Sequence, residues 1–149
     1  MRTAGMLLAL LLLVGCGPAG SVEEQIKANI DAMEVAAERG ERGGFMDYLA
    51  EGFSGQSGGM TRDDFARYLF LQINERRRVQ ARLFPVDVEA QGPNLAVARF
   101  NVLLTGGAGL IPDDGQLFSV ETEWVLEDGD WLLWRADWQA VSPALRGAG

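Results

Sequence analysis

Between residues 79 and 141 the apolar residues recur at every second position, and this constrains the fold more than any other feature of the chain. Alternation of this kind marks a strand with one buried face. "VQARLFPVDVEA" begins with apolar Val79, Ala81 and Leu83, then changes phase to Val86, Val88 and Ala90. The change falls at Phe84-Pro85. Proline cannot donate to a sheet ladder, so a bulge or sharp bend is expected there. After the turn "QGPN", "LAVARFNVLL" puts Ala96, Ala98, Phe100, Val102 and Leu104 on one face and Arg99 and Asn101 on the other. "QLFSVETEWVL" sets Phe118, Val120, Thr122, Trp124 and Leu126 against Ser119, Glu121 and Glu123. "EDGD" reads as a tight turn. "WLLWRADWQAV" closes the set, apolar on nearly both sides. Four long, consecutive antiparallel strands follow from this pattern.

One face of such a sheet must be covered, and the residues before it supply the cover. Ser21-x-x-Glu24 is a capping box. Behind it Val22, Ile26, Ile30, Met33 and Ala37 recur at helical spacing, and the helix ends near Arg39-Gly40. Glu23, Glu24, Lys27, Asp31, Glu34 and Glu38 lie mostly off that stripe and read as a solvated face. "GGFMDYLAEGF", residues 43–53, reads as a short second helix with Phe45, Leu49 and Phe53 inward, and "SGQSGG" as a turn or short weak strand. Thr61-x-x-Asp64 resembles a second capping box. It opens a third helix carrying Phe65, Leu69 and Ile73, with Tyr68 and Gln72 beside them. That helix ends in Arg76, Arg77 and Arg78, which its dipole favours. The expected architecture is α+β: a cone-like curved antiparallel sheet of about four long strands wrapped around three N-terminal helices.

The amino terminus sets a location. Arg2 is followed by an apolar run from Met6 to Val14, then Gly15 and Cys16, the layout of a secretory signal. The run is about half the length a spanning helix needs. Leu13-Val14-Gly15-Cys16 resembles the lipobox of bacterial lipoproteins. That resemblance implies a diacylglycerol on the Cys16 thiol, cleavage after residue 15, and acylation of the new amino end. The acyl chains, palmitate among them, would anchor the protein in the bilayer. By the same resemblance Gly17, where inner-membrane lipoproteins often carry aspartate, leans towards the periplasmic side of the outer membrane. The chain divides into a signal peptide (1–15), an acylated cysteine and tether (16–20), one domain (21–142) and a flexible tail (143–149).

Composition excludes several functions. The net charge of −8 disfavours nucleic acid, whose binding depends on neutralised phosphates. There is no histidine, the commonest general base and metal ligand. The single cysteine forms no internal disulfide and rules out cysteine-rich zinc sites. "GGAG" lacks the lysine of a phosphate loop, and Asp113-Asp114 lacks the alternating ligands of a calcium loop. Neither a metal nor a cofactor is expected.

The element order, the "FMDYLAEGF" segment and the closing "DGDWLLWRADW" are similar to the nuclear transport factor 2-like fold, shared by ketosteroid isomerases and SnoaL-type polyketide cyclases. The resemblance implies a cone whose mouth opens into an apolar pocket, with homodimers often formed through the outer sheet face. It implies Tyr48, Tyr68, Gln72, Thr122 and Trp124 as pocket residues. Proton-transferring enzymes of this kind use a pocket carboxylate. Asp47 is the best remaining acid. Asp137 reads as outward-facing unless a second bulge lies near Trp134. An interior short of titratable groups favours an anchored envelope lipoprotein that binds a small apolar ligand or a protein partner without catalysis. The alternative is an isomerase or cyclase with Asp47 or Asp137 as base and Tyr48 as oxyanion donor.

Overall fold

The computed structural model describes residues 20–75, 80–105 and 115–141. Cys16 and its lipobox, Arg76 to Arg78, the glycine-rich loop 106–114 and the tail lie outside these residues.

Helix α1 (Val22–Glu38) is closed at its start by both halves of the capping box: Glu24 N donates to Ser21 Oγ and Ser21 N to the Glu24 carboxylate. It buries Ile26, Ile30, Met33 and Ala36, and Gly40 (φ +69°) turns the chain away just beyond its end. The second helix is shorter than the sequence suggests. α2 covers only Arg42–Met46, and Leu49–Gly55 is strand β1. The spacing of four between Leu49 and Phe53 fits both periods, and both residues are buried while Glu51 is exposed. Gly52 weakens a helix here. The open edge of the last strand offers the backbone a ladder instead. A 3-10 turn (Gln56–Gly58) and the two-residue strand β2 (Met60–Thr61) lead into α3 (Arg62–Glu75). Its box also forms, with Asp64 N donating to Thr61 Oγ1 and Thr61 N to the Asp64 carboxylate.

Strands β3 (Gln80–Ala90), β4 (Leu95–Thr105), β5 (Gln116–Glu127) and β6 (Asp130–Ala140) form the antiparallel meander read from the alternation. The sheet is nevertheless six-stranded and mixed. Its order is β2-β1-β6-β5-β4-β3, and β1 runs parallel to β6. The four long antiparallel strands are as expected, and the structure adds the short β1 and β2 at one edge, with the β1–β6 pairing parallel where the sequence suggested an antiparallel sheet.

Two irregularities bend the sheet. Pairing of β3 with β4 slips between Phe84 and Asp87, so Ala81 and Leu83 share the inner face with Val86 and Val88. In β6, Glu123 pairs with Arg135 and Trp124 with Leu133, which leaves Trp134 as the extra residue of a bulge. The inner set therefore changes from Trp131 and Leu133 to Ala136 and Trp138. Between β5 and β6, Asp128 (φ +50°) and Gly129 (φ +86°) form the two-residue turn. α1 and α3 pack across the concave face, with Trp124 and Ile26 at the centre of the core. Among the described residues no helix is long and apolar enough to cross a membrane.

Candidate functional site

A cavity of about 260 Å³ lies between α1, α3 and the concave faces of β3 to β6. The alternation that builds the sheet also lines the cavity. Leu83, Phe100, Val120 and Trp124 are inner-face residues of successive positions or strands, and the two phase changes keep the inner set continuous. Aromatic rings gather on one side. Phe65 lies 5.4 Å from Trp138, and Tyr68 stacks on Trp138 at 6.1 Å and 25°.

Polar groups are few. In the wall, Thr122 Oγ1 donates to Ala98 O at 3.0 Å and accepts from Trp124 Nε1 at 2.9 Å, both bonds buried. These groups are satisfied by each other, as buried polar atoms must be. The other polar lining comes from the helices: Tyr68 and Gln72 on α3, Glu34 and Glu38 on α1. Glu38 is partly committed, accepting from Ala81 N of the edge strand β3 at 3.4 Å. Glu34 is half-buried, and its carboxyl is held above the usual range. Burial is the largest cause, followed by the charges of Glu38 and Asp31, with Arg82 acting in the opposite direction.

The pocket residues named from the sequence divide. Tyr68, Gln72, Thr122 and Trp124 line the cavity; Tyr48 does not. Tyr48 and Asp47 line a separate cleft with Asn29, Asp130 and Trp131, because the chain leaves α2 and enters β1 at this point instead of continuing as helix. Asp137 lies on the outer face, opposite Glu121 in the ladder. Its carboxylate accepts from Ser57 N at 2.7 Å and from Ser57 Oγ at 3.4 Å, and so pins the turn after β1. The bulge at Trp134 is present, but it acts on the first half of β6 and leaves Asp137 outside. Both aspartates named as alternative bases are thus away from the cavity, and so is the tyrosine named as their partner.

Glu34 and Glu38, read from the sequence as part of a solvated face, both border the cavity, Glu34 half-buried and Glu38 exposed. A weak signal existed: Glu34 follows Ile30 by four and Glu38 follows it by eight, so both flank the apolar stripe. Among the described residues no group of acidic or cysteine side chains could hold a metal ion.

No protein-family model matches the sequence, and no curated protein is significantly similar to it. Solved structures are similar in shape. A proposed dehydratase of the nuclear transport factor 2-like family from Streptomyces avermitilis superposes with a TM-score of 0.66 at 20% identity, over 80% of this chain and 96% of that one. A nuclear transport factor 2-like protein of unknown function from Pseudomonas putida KT2440 gives 0.70 at 15% identity, over 83% and 89%. A proposed scytalone dehydratase from Novosphingobium aromaticivorans gives 0.65 at 14%, over 80% and 83%. At such identities the likeness concerns shape alone, and a fold of this kind does not decide chemistry. With helices packed in the concavity of a bent six-stranded sheet and a cavity at their junction, the chain has the nuclear transport factor 2-like fold.

Proposed function

We propose that the protein is a lipid-anchored component of a bacterial envelope whose cavity holds a small, mainly apolar ligand without transforming it. The observation that carries the ligand reading is the lining: apolar side chains from four strands and three helices, with the buried hydroxyl and indole N–H bonded internally. A volume of about 260 Å³ equals that of roughly nine waters at ~30 Å³ each, which suits a small molecule and not a long acyl chain. The anchoring reading is supported by Leu13-Val14-Gly15-Cys16 and the apolar run before it. Pairing of two copies through the outer sheet face would cover the exposed Leu95 and Trp134.

Native mass spectrometry of the full chain, followed by denaturation, tests the ligand reading. One stoichiometric small molecule is expected, and an empty chain overturns the reading. Cys16→Ser tests the anchor. The variant should leave the membrane fraction or accumulate uncleaved, and a mature, acylated variant overturns it.

A proton-transfer enzyme is the second reading. It is favoured by the half-buried Glu34 carboxyl on the cavity and by the two similar structures described as proposed dehydratases. Glu34 would then be the base, in place of Asp47 or Asp137.

A further inference from the structure

We infer that the ligand of this cavity is an organic cation, a compact aromatic or aliphatic body bearing an amine. The inference rests on the ligand-binding reading above and specifies the chemistry of that same site. Among the described lining residues the charged groups are Glu34 and Glu38, and no arginine or lysine lines the cavity. The two carboxylates are one helical turn apart on α1, a spacing at which like charges repel. Glu38 is exposed at the rim, while Glu34 is half-buried against apolar side chains, where a negative charge is more costly than in water.

The charges that face Glu34 are Glu38 and Asp31 on its own helix and Arg82 from β3. Arg82 is exposed and does not line the cavity, and its charge offsets that of Glu34 only in part. Glu38 already accepts from Ala81 N, which leaves Glu34 as the main counter-charge for a ligand. The aromatic side chains add the same sign. Tyr68, stacked on Trp138 with Phe65 beside it, presents ring faces whose quadrupole attracts cations. A carboxylate ligand would meet repulsion from both sources. A neutral ligand would fill the space and add no counter-charge to Glu34. An amine satisfies both.

Three fluorescent probes of nearly equal size separate these cases: 2-(1-naphthyl)ethylamine, 2-(1-naphthyl)ethanol and 1-naphthylacetate. Each is titrated calorimetrically into the full chain in phosphatidylcholine vesicles, with empty vesicles as the blank. The amine should bind at least about tenfold more tightly than the alcohol, and the acid most weakly. Glu34→Gln should remove most of the amine's advantage while leaving the alcohol unchanged. Glu38→Gln, which keeps an acceptor for Ala81 N, should have the smaller effect.

Equal binding of amine and alcohol overturns the cation assignment and leaves the ligand-binding reading standing. So does tightest binding by the acid, or an amine preference that survives both substitutions. If none of the three binds, the cation assignment and the small-molecule reading both fall. Because the comparison among probes is made on the unaltered protein, it does not depend on either variant folding.

Discussion

Glu34 shows how one helix position can couple stability to pH. Its folded carboxyl binds a proton more tightly than the ordinary value of 4.5, chiefly through burial. A carboxylate raised in this way lowers stability as pH rises from that ordinary value through its folded value, and the loss persists above it. Glu34→Gln should therefore melt with the wild type at pH 4 and slightly above it at pH 7, by less than about 1 kcal/mol because solvent screens a half-exposed group. Identical melting curves at both pH values would contradict the assignment. Thr122 is a sharper test of packing. Thr122→Val removes the acceptor of Trp124 Nε1, whose ring is 1% exposed. It should cost about 1–3 kcal/mol in urea unfolding, and Thr122→Ser should restore most of it.

Elements were legible where a signal was both long and local. The two capping boxes and the four alternating strands could be read because each rests on neighbours within a few residues, and Pro85 marked its own bend. Thr61→Ala should accordingly cost ~0.5–2 kcal/mol, measurable by denaturant unfolding. Residues 47–55 were not legible. A spacing of four is common to helix and strand, and what selected the strand was the free edge of β6, some 80 residues further along the chain. The turn that follows has Gln56 at φ +51° and Ser57 at φ +55°, a conformation held by Asp137 from the outer face. Asp137→Ala should raise amide exchange across Gln56–Gly59 while leaving the β5–β6 ladder protected.

At the scale of the whole molecule the site is a product of closure. Val102, Val120 and Leu133 belong to three strands, yet they bound one space because the bulges at Pro85 and Trp134 curve the sheet around α1 and α3. Val102→Phe should fill part of that space. Stability should change by no more than about 1–3 kcal/mol, and any molecule retained in native mass spectrometry should disappear. The amino-acid sequence by itself determined the alternation, the caps, the proline bend and the net charge of −8, since each depends on residue type and short-range spacing. It also determined the lipobox-like run on which the anchoring proposal depends. Tertiary structure alone decided that β1 joins the sheet in parallel, that Asp47 and Tyr48 stay outside the cavity, and that Glu34 lines it with Glu38 exposed at its edge. The physical reason is that which strand edge is open, and which flank of a helix meets a hollow, are set by partners distant in the chain, and no local period records them.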